Sequence, residues 1–177
     1  MARIERVEPF LTAQQLQARV AELGAAIEAL PPTEQPLVLV CVLKGSVLFF
    51  TDLVRHLQRP VHLVFLGVSS YAGNTESSGA VRLTHDLTLD ISHRDVVIVE
   101  DIVDTGLTMS YLIANLEARG PHSVQVCTLL HKPARQKIQV PLHWVGFTIE
   151  DVFVVGYGLD FEERYRNLPF IGVLSFE

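Results

Sequence analysis

The sequence predicts an α/β fold, a mainly parallel sheet wrapped by helices. Three observations predict it. Continuous apolar, β-branched runs at Leu37–Leu43 and Val96–Val99 lack the in-out alternation of a half-exposed strand, so both their faces are buried. Segments with apolar residues at helical spacing lie between such runs, the order of β–α–β units. The chain has 177 residues, of which 49% are hydrophobic, sufficient for one substantial core, and it reads as a single domain over residues 1–177.

Each element has its own local reason. A first helix starts at Thr12, where Thr-x-x-Gln with Gln15 makes a capping box. Leu16, Val20, Leu23 and Ile27 form its apolar stripe, and Pro31-Pro32 ends it. Leu37–Leu43 is a strand, Ser46–Leu57 a helix and Val61–Val68 a second strand. Ser69–Gly79, "SSYAGNTESSG", is small, polar and glycine-bearing and reads as a mobile loop. Ala80–Leu89 alternates imperfectly and reads as a pair of short strands. The Val96–Val99 run is a buried strand that stops at Asp101. Met109, Leu112, Ile113 and Leu116 recur at helical spacing over Leu107–Ala118, and Gly120-Pro121 stops that helix. Val124–Leu130, Trp144–Ile149 and Val152–Tyr157 complete the strands.

Composition narrows the function classes. With 20 acidic against 14 basic residues, the net charge is −6, which argues against a broad nucleic-acid surface. The longest apolar region, Leu37–Phe50, carries Lys44 in its middle and is no membrane span. "MARIERVEPF" lacks the apolar centre of a signal peptide. Cys41 and Cys127 each sit inside an apolar strand run and read as two buried thiols, neither a disulfide nor a metal site. The expectation is a cytoplasmic protein with no nucleic-acid and no membrane partner.

The most informative stretch is Val96–Thr108, "VVIVEDIVDTGLT". A buried strand runs into Glu100, Asp101 and Asp104, then into Thr105-Gly106-Leu107-Thr108. In parallel sheets ligands sit beyond the carboxyl ends of the strands. The unpaired first-turn N–H groups of the following helix form an anion site there, with hydroxyls from Thr105 and Thr108 and close backbone approach at Gly106. Carboxylates beside an anion site suit a ligand carrying sugar hydroxyls, or a metal ion, next to its phosphate. Each acid taken singly reads more simply, Glu100 and Asp101 as solvated strand-end charges and Asp104 as a helix cap. Three together, ahead of Thr-Gly-x-Thr, point to a site.

This stretch resembles the phosphoribosyl pyrophosphate signature of the purine phosphoribosyltransferases. "VLVCVLKGSVLFFTDL" is similar to that family's pyrophosphate loop, "SSY" to its lid, and "LLHKPARQ" to its base-contacting strand end. "VGFTIEDVFVVGYGLDFEERYRNLPFIGVL" resembles its purine pocket and C-terminal segment, and "VVGYGLD" its bacterial 6-oxopurine branch. The resemblance implies a type I phosphoribosyltransferase fold, in which the N- and C-terminal segments form a small hood.

It also implies roles for residues. Asp104 faces a ring nitrogen of the purine as general base. Glu100 and Asp101 bind the ribose hydroxyls, and the amides of Asp104, Thr105, Gly106, Leu107 and Thr108 hold the 5′-phosphate. Lys44, Gly45 and Arg166 bind pyrophosphate, with a cis peptide between Lys44 and Gly45. Lys132 bonds the 6-oxo group, Phe153 stacks on the base and Val154 supplies backbone groups. Asp160 coordinates Mg2+ beside the pyrophosphate, with Glu100 and Asp101 as further candidate metal ligands, and Asp160 also belongs to the purine side. Ser70 and Tyr71 close as the lid. His131 and Arg164 carry no role. The substrates implied are phosphoribosyl pyrophosphate with hypoxanthine or guanine, and the assembly a homodimer or homotetramer.

Two other readings compete. A non-catalytic regulator with this fold senses the phosphoribosyl donor and binds nucleic acid; the net charge, Asp104 and Ser70-Tyr71 count against it. A uracil-using relative is disfavoured by "VVGYGLD".

Overall fold

The computed structural model of the chain describes residues 5–70 and 81–176. Its centre is a six-stranded sheet built from β2 (Leu37–Leu43), β3 (Val61–Ser70), β4 (Val81–His85), β5 (Asp95–Val103), β6 (Ser123–His131) and β7 (Trp144–Thr148). The strand order is β4-β3-β2-β5-β6-β7. All neighbours are parallel except β4, which runs antiparallel along β3 at the edge. A separate three-stranded sheet of order β1-β9-β8 joins the two ends of the chain, through β1 (Glu5–Leu11), β8 (Val154–Val155) and β9 (Ile171–Phe176). It is the hood.

The continuous apolar runs are buried on both faces, as their composition requires. In β2, Leu37, Leu39 and Cys41 pack with α1 (Ala13–Glu28) and α2 (Val47–Val54). Val38, Val40 and Val42 project to the opposite face, with Met109, Leu112 and Leu116 of α3 (Leu107–Glu117). β5 divides in the same way, Val97 and Val99 on one side and Val96 and Ile98 on the other. The capping box forms as expected: Thr12 N–H donates to Gln15 Oε1 at 2.9 Å, and Gln15 N–H donates to Thr12 Oγ1 at 3.2 Å. No described helix is long and apolar enough to cross a membrane.

Several boundaries differ from the sequence reading. β5 does not stop at Asp101 but continues to Val103, because β6 pairs with it beyond the carboxylates, Ile102 with Leu130 and Val103 with His131. β3 extends through Ser70, paired with β4, so the first two residues of the expected loop are strand. Of the expected pair of strands in Ala80–Leu89, the described residues 81–89 hold one, β4, which pairs antiparallel with β3. Val152–Tyr157 contributes only Val154 and Val155 to a sheet, since the chain turns at Gly156 (φ 99°), where a side chain would strike the Phe170 carbonyl. β1 has no signature of its own in the sequence; its register along β9, Glu5 with Phe176 through Leu11 with Ile171, makes it a strand.

Along the sheet, β2 leads outward to β3 and β4 on one side, while β5 leads to β6 and β7 on the other. The order therefore reverses between β2 and β5. Such a switch point opens a crevice beyond the strand ends.

Candidate active site

The crevice is walled by the ends of β2 and β5. Lys44 and Gly45 follow β2 directly, and Glu100 and Asp101 lie in the last turns of β5. A Cβ on Gly45 would overlap Asp101 Oδ2, so the loop approaches the carboxylate as closely as only glycine permits. The peptide between Leu43 and Lys44 is cis. The bond expected to be cis, between Lys44 and Gly45, is the next one along; the need for glycine at position 45 arises from the Asp101 contact and not from the isomer.

Glu100 is buried and Asp101 half-buried. Ser46 Oγ donates to Glu100 Oε1 at 3.2 Å, and the Asp101 N–H lies 3.1 Å from Ser46 Oγ. Burial first, then the neighbouring Asp101, raises the Glu100 carboxyl well above the usual carboxylate range. Burial also raises Asp101, opposed by bonds such as that from Ile102 N–H to Asp101 Oδ1 at 2.8 Å. Among the described residues, no cation stands within ion-pair distance of either acid. The pair is poised for a ligand that brings hydroxyl donors or positive charge.

Beyond β5, residues 104–107 make a tight turn into α3. Gly106 has φ 81°, and a side chain there would strike the Ile138 carbonyl. The turn is braced from outside: Lys137 and Ile138 donate N–H bonds to the Thr105 carbonyl at 2.9 and 3.1 Å. A small cavity of about 50 Å³ lies against it, lined by Asp104, Thr105, Gly106 and Thr108. The first-turn N–H groups of α3 end here, where the sequence places an anion site.

Two larger cavities flank this turn. One, of about 280 Å³, is lined by Lys44, Gly45, Glu100, Asp101, Asp160 and Arg166. It is strongly polar, and Arg166 Nε in its wall is buried without an acceptor among the described residues. Arg166 Nη2 reaches Asp160 Oδ1 at 2.9 Å, and Nη1 donates to the Gly158 carbonyl at 2.8 Å. The other cavity, of about 310 Å³, is lined by Asp104, Lys132, Arg135, Phe153, Val154 and Asp160. Phe153 is 51% exposed, uncommon for a phenyl ring, and it lines the cavity. Lys132 is only 5% exposed, and its Nζ donates to the Val152 carbonyl at 2.5 Å. A lysine so deeply buried is no solvated surface charge. Asp104 Oδ1 is buried, faces Arg135 Nε at 3.4 Å and accepts no hydrogen bond from a described residue.

Beyond its contact with Asp160, Arg166 can donate from Nε to a ligand in the first cavity, and Asp104 Oδ1 can accept from a ligand in the second. The phosphoribosyl transferase domain model matches residues 8–162. The chain belongs to the phosphoribosyltransferase family. Among its relatives it is 54% identical to the hypoxanthine-guanine phosphoribosyltransferase of Mycobacterium tuberculosis over 171 residues, covering 94% of this chain and 85% of the relative. It is 44% identical to the enzyme of that name from Bacillus subtilis, covering 97% and 94%. The fold superposes on a hypoxanthine-guanine phosphoribosyltransferase crystal structure from Bacillus anthracis with TM-score 0.89, at 39% identity over 97% of this chain and 99% of that one. A hypoxanthine phosphoribosyltransferase of Trypanosoma cruzi, solved with the product IMP, matches with TM-score 0.86 at 39% identity, over 95% and 94%.

In this phosphoribosyltransferase the fold brings together most residues that the sequence singled out. Three qualifications follow. Ser70 ends β3, and Tyr71, with the rest of the expected loop to Gly79, lies outside the described residues. Among the described residues no group of three or more His, Cys, Asp and Glu side chains is placed to hold a metal ion, so Glu100, Asp101 and Asp160 line a cavity without closing into a ligand shell. The reason is that Asp160 is turned toward Arg166 and Glu100 toward Ser46. A few hard carboxylate oxygens beside an open polar cavity nevertheless suit magnesium, which takes most of its ligands from water and phosphate. Finally, His131 is half-buried rather than exposed, and Arg164 is tied to Glu5 of β1 at 2.6 Å.

Sequence reasoning missed Arg135, Asp151 and Glu163. Arg135 Nη1 lies 3.6 Å from Asp151 Oδ1, which stands 4.0 Å from Lys132 Nζ. Asp104, Arg135, Asp151 and Lys132 thus form a chain of alternating sign, and all but Asp151 line the second cavity. All three lay in quoted motifs, Arg135 in "LLHKPARQ" and Asp151 and Glu163 in "VGFTIEDVFVVGYGLDFEERYRNLPFIGVL", but nothing in the local pattern separates any of them from a surface charge.

Proposed function

We propose that this protein is a purine salvage enzyme that transfers the 5-phosphoribosyl group from phosphoribosyl pyrophosphate to hypoxanthine or guanine, giving IMP or GMP and pyrophosphate. The observation that carries the reading is the buried Asp104 Oδ1, which accepts no hydrogen bond from a described residue and shares one cavity with buried Lys132 and exposed Phe153. A flat heterocycle with a ring N–H for Asp104 and an exocyclic oxygen for Lys132 satisfies all three. A 6-oxopurine is such a heterocycle; adenine presents an amine where the lysine needs an acceptor.

In the reaction the bond between the anomeric carbon and pyrophosphate breaks and a bond to the purine ring nitrogen forms. Departure leads, with oxocarbenium-like charge on the sugar, as in glycoside chemistry. Asp104 takes the proton of the base as it becomes a nucleophile. Glu100 and Asp101 hold the ribose hydroxyls, and residues 104–108 hold the 5′-phosphate through backbone N–H groups. Lys44, Gly45 and Arg166 face the pyrophosphate. Magnesium, when held by Asp160 together with pyrophosphate oxygens, supplies charge stabilisation for that leaving group.

Exposed Leu63 and Phe65 on β3, with Leu48 on α2, support a homodimer or homotetramer, a state that light scattering measures directly. The function is tested by incubating the protein with phosphoribosyl pyrophosphate, magnesium and each nucleobase. IMP and GMP should form, whereas adenine and uracil should yield little nucleotide. Comparable turnover of uracil would overturn the assignment.

A further inference from the structure

Beside the polar cavity, against two of the cations that line it, stands a carboxylate that the proposed reaction does not use. Glu163 Oε2 lies 3.0 Å from Lys44 Nζ, and Glu163 Oε1 lies 3.3 Å from Arg166 Nη2. Lys44 and Glu163 are 119 residues apart in the chain. The two loops that carry them touch at glycines, since a Cβ on Gly158 would strike the Gly45 carbonyl. Glu163 is held in position from its own side. Its N–H donates to Asp160 Oδ2 at 2.9 Å, and Glu162 and Glu163 have φ of 52° and 62°. Non-glycine residues adopt such angles where local contacts hold them.

We infer that Glu163 is an internal counter-anion of the pyrophosphate subsite. Its carboxylate stands between the two cations read above as pyrophosphate ligands, keeps them aligned when no ligand is bound, and is displaced when pyrophosphate enters. The inference rests on that reading of Lys44 and Arg166. A single carboxylate spanning a lysine and an arginine from separate loops matches how one phosphate oxygen group would span them. Two anions cannot share one pair of cations, and pyrophosphate, with the higher charge, takes the place. Glu163 and Lys44 are both largely exposed, so the exchange is a modest one.

Arg166 differs from Lys44 in this exchange. It also bonds the Gly158 carbonyl and contacts Asp160, neither of which involves Glu163. Lys44 has no other ion pair among the described residues. Displacement of Glu163 therefore frees Lys44 most, and removal of the Glu163 charge should act mainly through that side chain.

The test is calorimetric binding of magnesium pyrophosphate to the full chain in three forms: wild type, Glu163→Gln and Glu162→Gln. Glu163→Gln keeps the shape and removes the competing charge, so it should bind about two- to fivefold more tightly, the range expected for exposed ion pairs. Glu162→Gln changes the net charge equally, but its carboxylate pairs with Arg164 outside the cavity, at 3.3 Å, and should leave the affinity at the wild-type value. Unchanged or weaker binding by Glu163→Gln overturns the inference. Equal tightening in both variants also overturns it, because the effect would then be general charge. Absence of binding to the wild type overturns the pyrophosphate subsite itself and the inference with it.

Discussion

Arg135 Nε stands 3.4 Å from Asp104 Oδ1, yet that buried oxygen accepts no hydrogen bond from a described residue. That acceptor position is open to a ring N–H entering the cavity, the geometry a general base requires.

Asp104→Asn separates this role from a structural one. The sequence alone allowed a helix cap, but the N-cap of α3 is Gly106 and no side chain caps it, so a purely structural Asp104 predicts a nearly silent substitution. As a general base, its loss should lower kcat by roughly 10²–10⁴-fold. The donor KM should change little, because the phosphate is held mainly by backbone N–H groups. Steady-state kinetics with hypoxanthine decides the matter, and a kcat within a few-fold of wild type removes Asp104 from the mechanism. Glu100→Gln and Asp101→Asn should instead raise the donor KM.

Lys132→Met tests base recognition. Methionine keeps much of the side-chain volume and removes the charge-assisted bond to the 6-oxo group. Bonds to charged groups are worth about 1.5–3 kcal/mol, so kcat/KM for hypoxanthine should fall by roughly ten- to a hundredfold, with a smaller loss for adenine. An equal loss for both bases would mean that Lys132 does not select between them.

Cys41 and Cys127 should resist alkylation in the native protein. Both are fully buried, and desolvation is the largest influence raising each thiol to about 12. At pH 8 iodoacetamide should label neither until denaturant is added, because the thiolate is the reactive form. Mass spectrometry after timed labelling measures this, and rapid native labelling of either residue contradicts its burial.

Glu5 should make the hood sensitive to acid. The bond from Arg164, then that from Tyr165, lowers the Glu5 carboxyl below its ordinary value of 4.5. A lowered folded-state pKa contributes stability that is present above the unfolded value and lost as pH falls through the folded one. Glu5→Gln should therefore lower Tm slightly near pH 7 and converge with wild type below the folded pKa of Glu5. A constant Tm difference across that range would mean that the ion pair is not the cause.

Local pattern carried much of this protein. The capping box at Thr12 and Gln15, the two-faced strands Leu37–Leu43 and Val96–Val99, and the run from Glu100 to Thr108 were legible because each is specified by neighbours within a few residues. Such elements follow from side-chain periodicity and turn chemistry, which any single window of sequence contains. Resemblance then placed Lys44, Lys132, Phe153 and Arg166 around one crevice. Tertiary structure alone decided the rest. β1 is a strand only because β9 offers it an edge, β5 outruns its carboxylates only because β6 continues beside it, and Arg135 meets Asp104 only because the turn after Lys132 folds back over residues 104–107. Glu163 is an ordinary exposed glutamate until the Gly45 and Gly158 loops close together and set it against Lys44. Each of these depends on the distance between segments far apart in the chain, which the packing of the whole fold determines and no local pattern encodes.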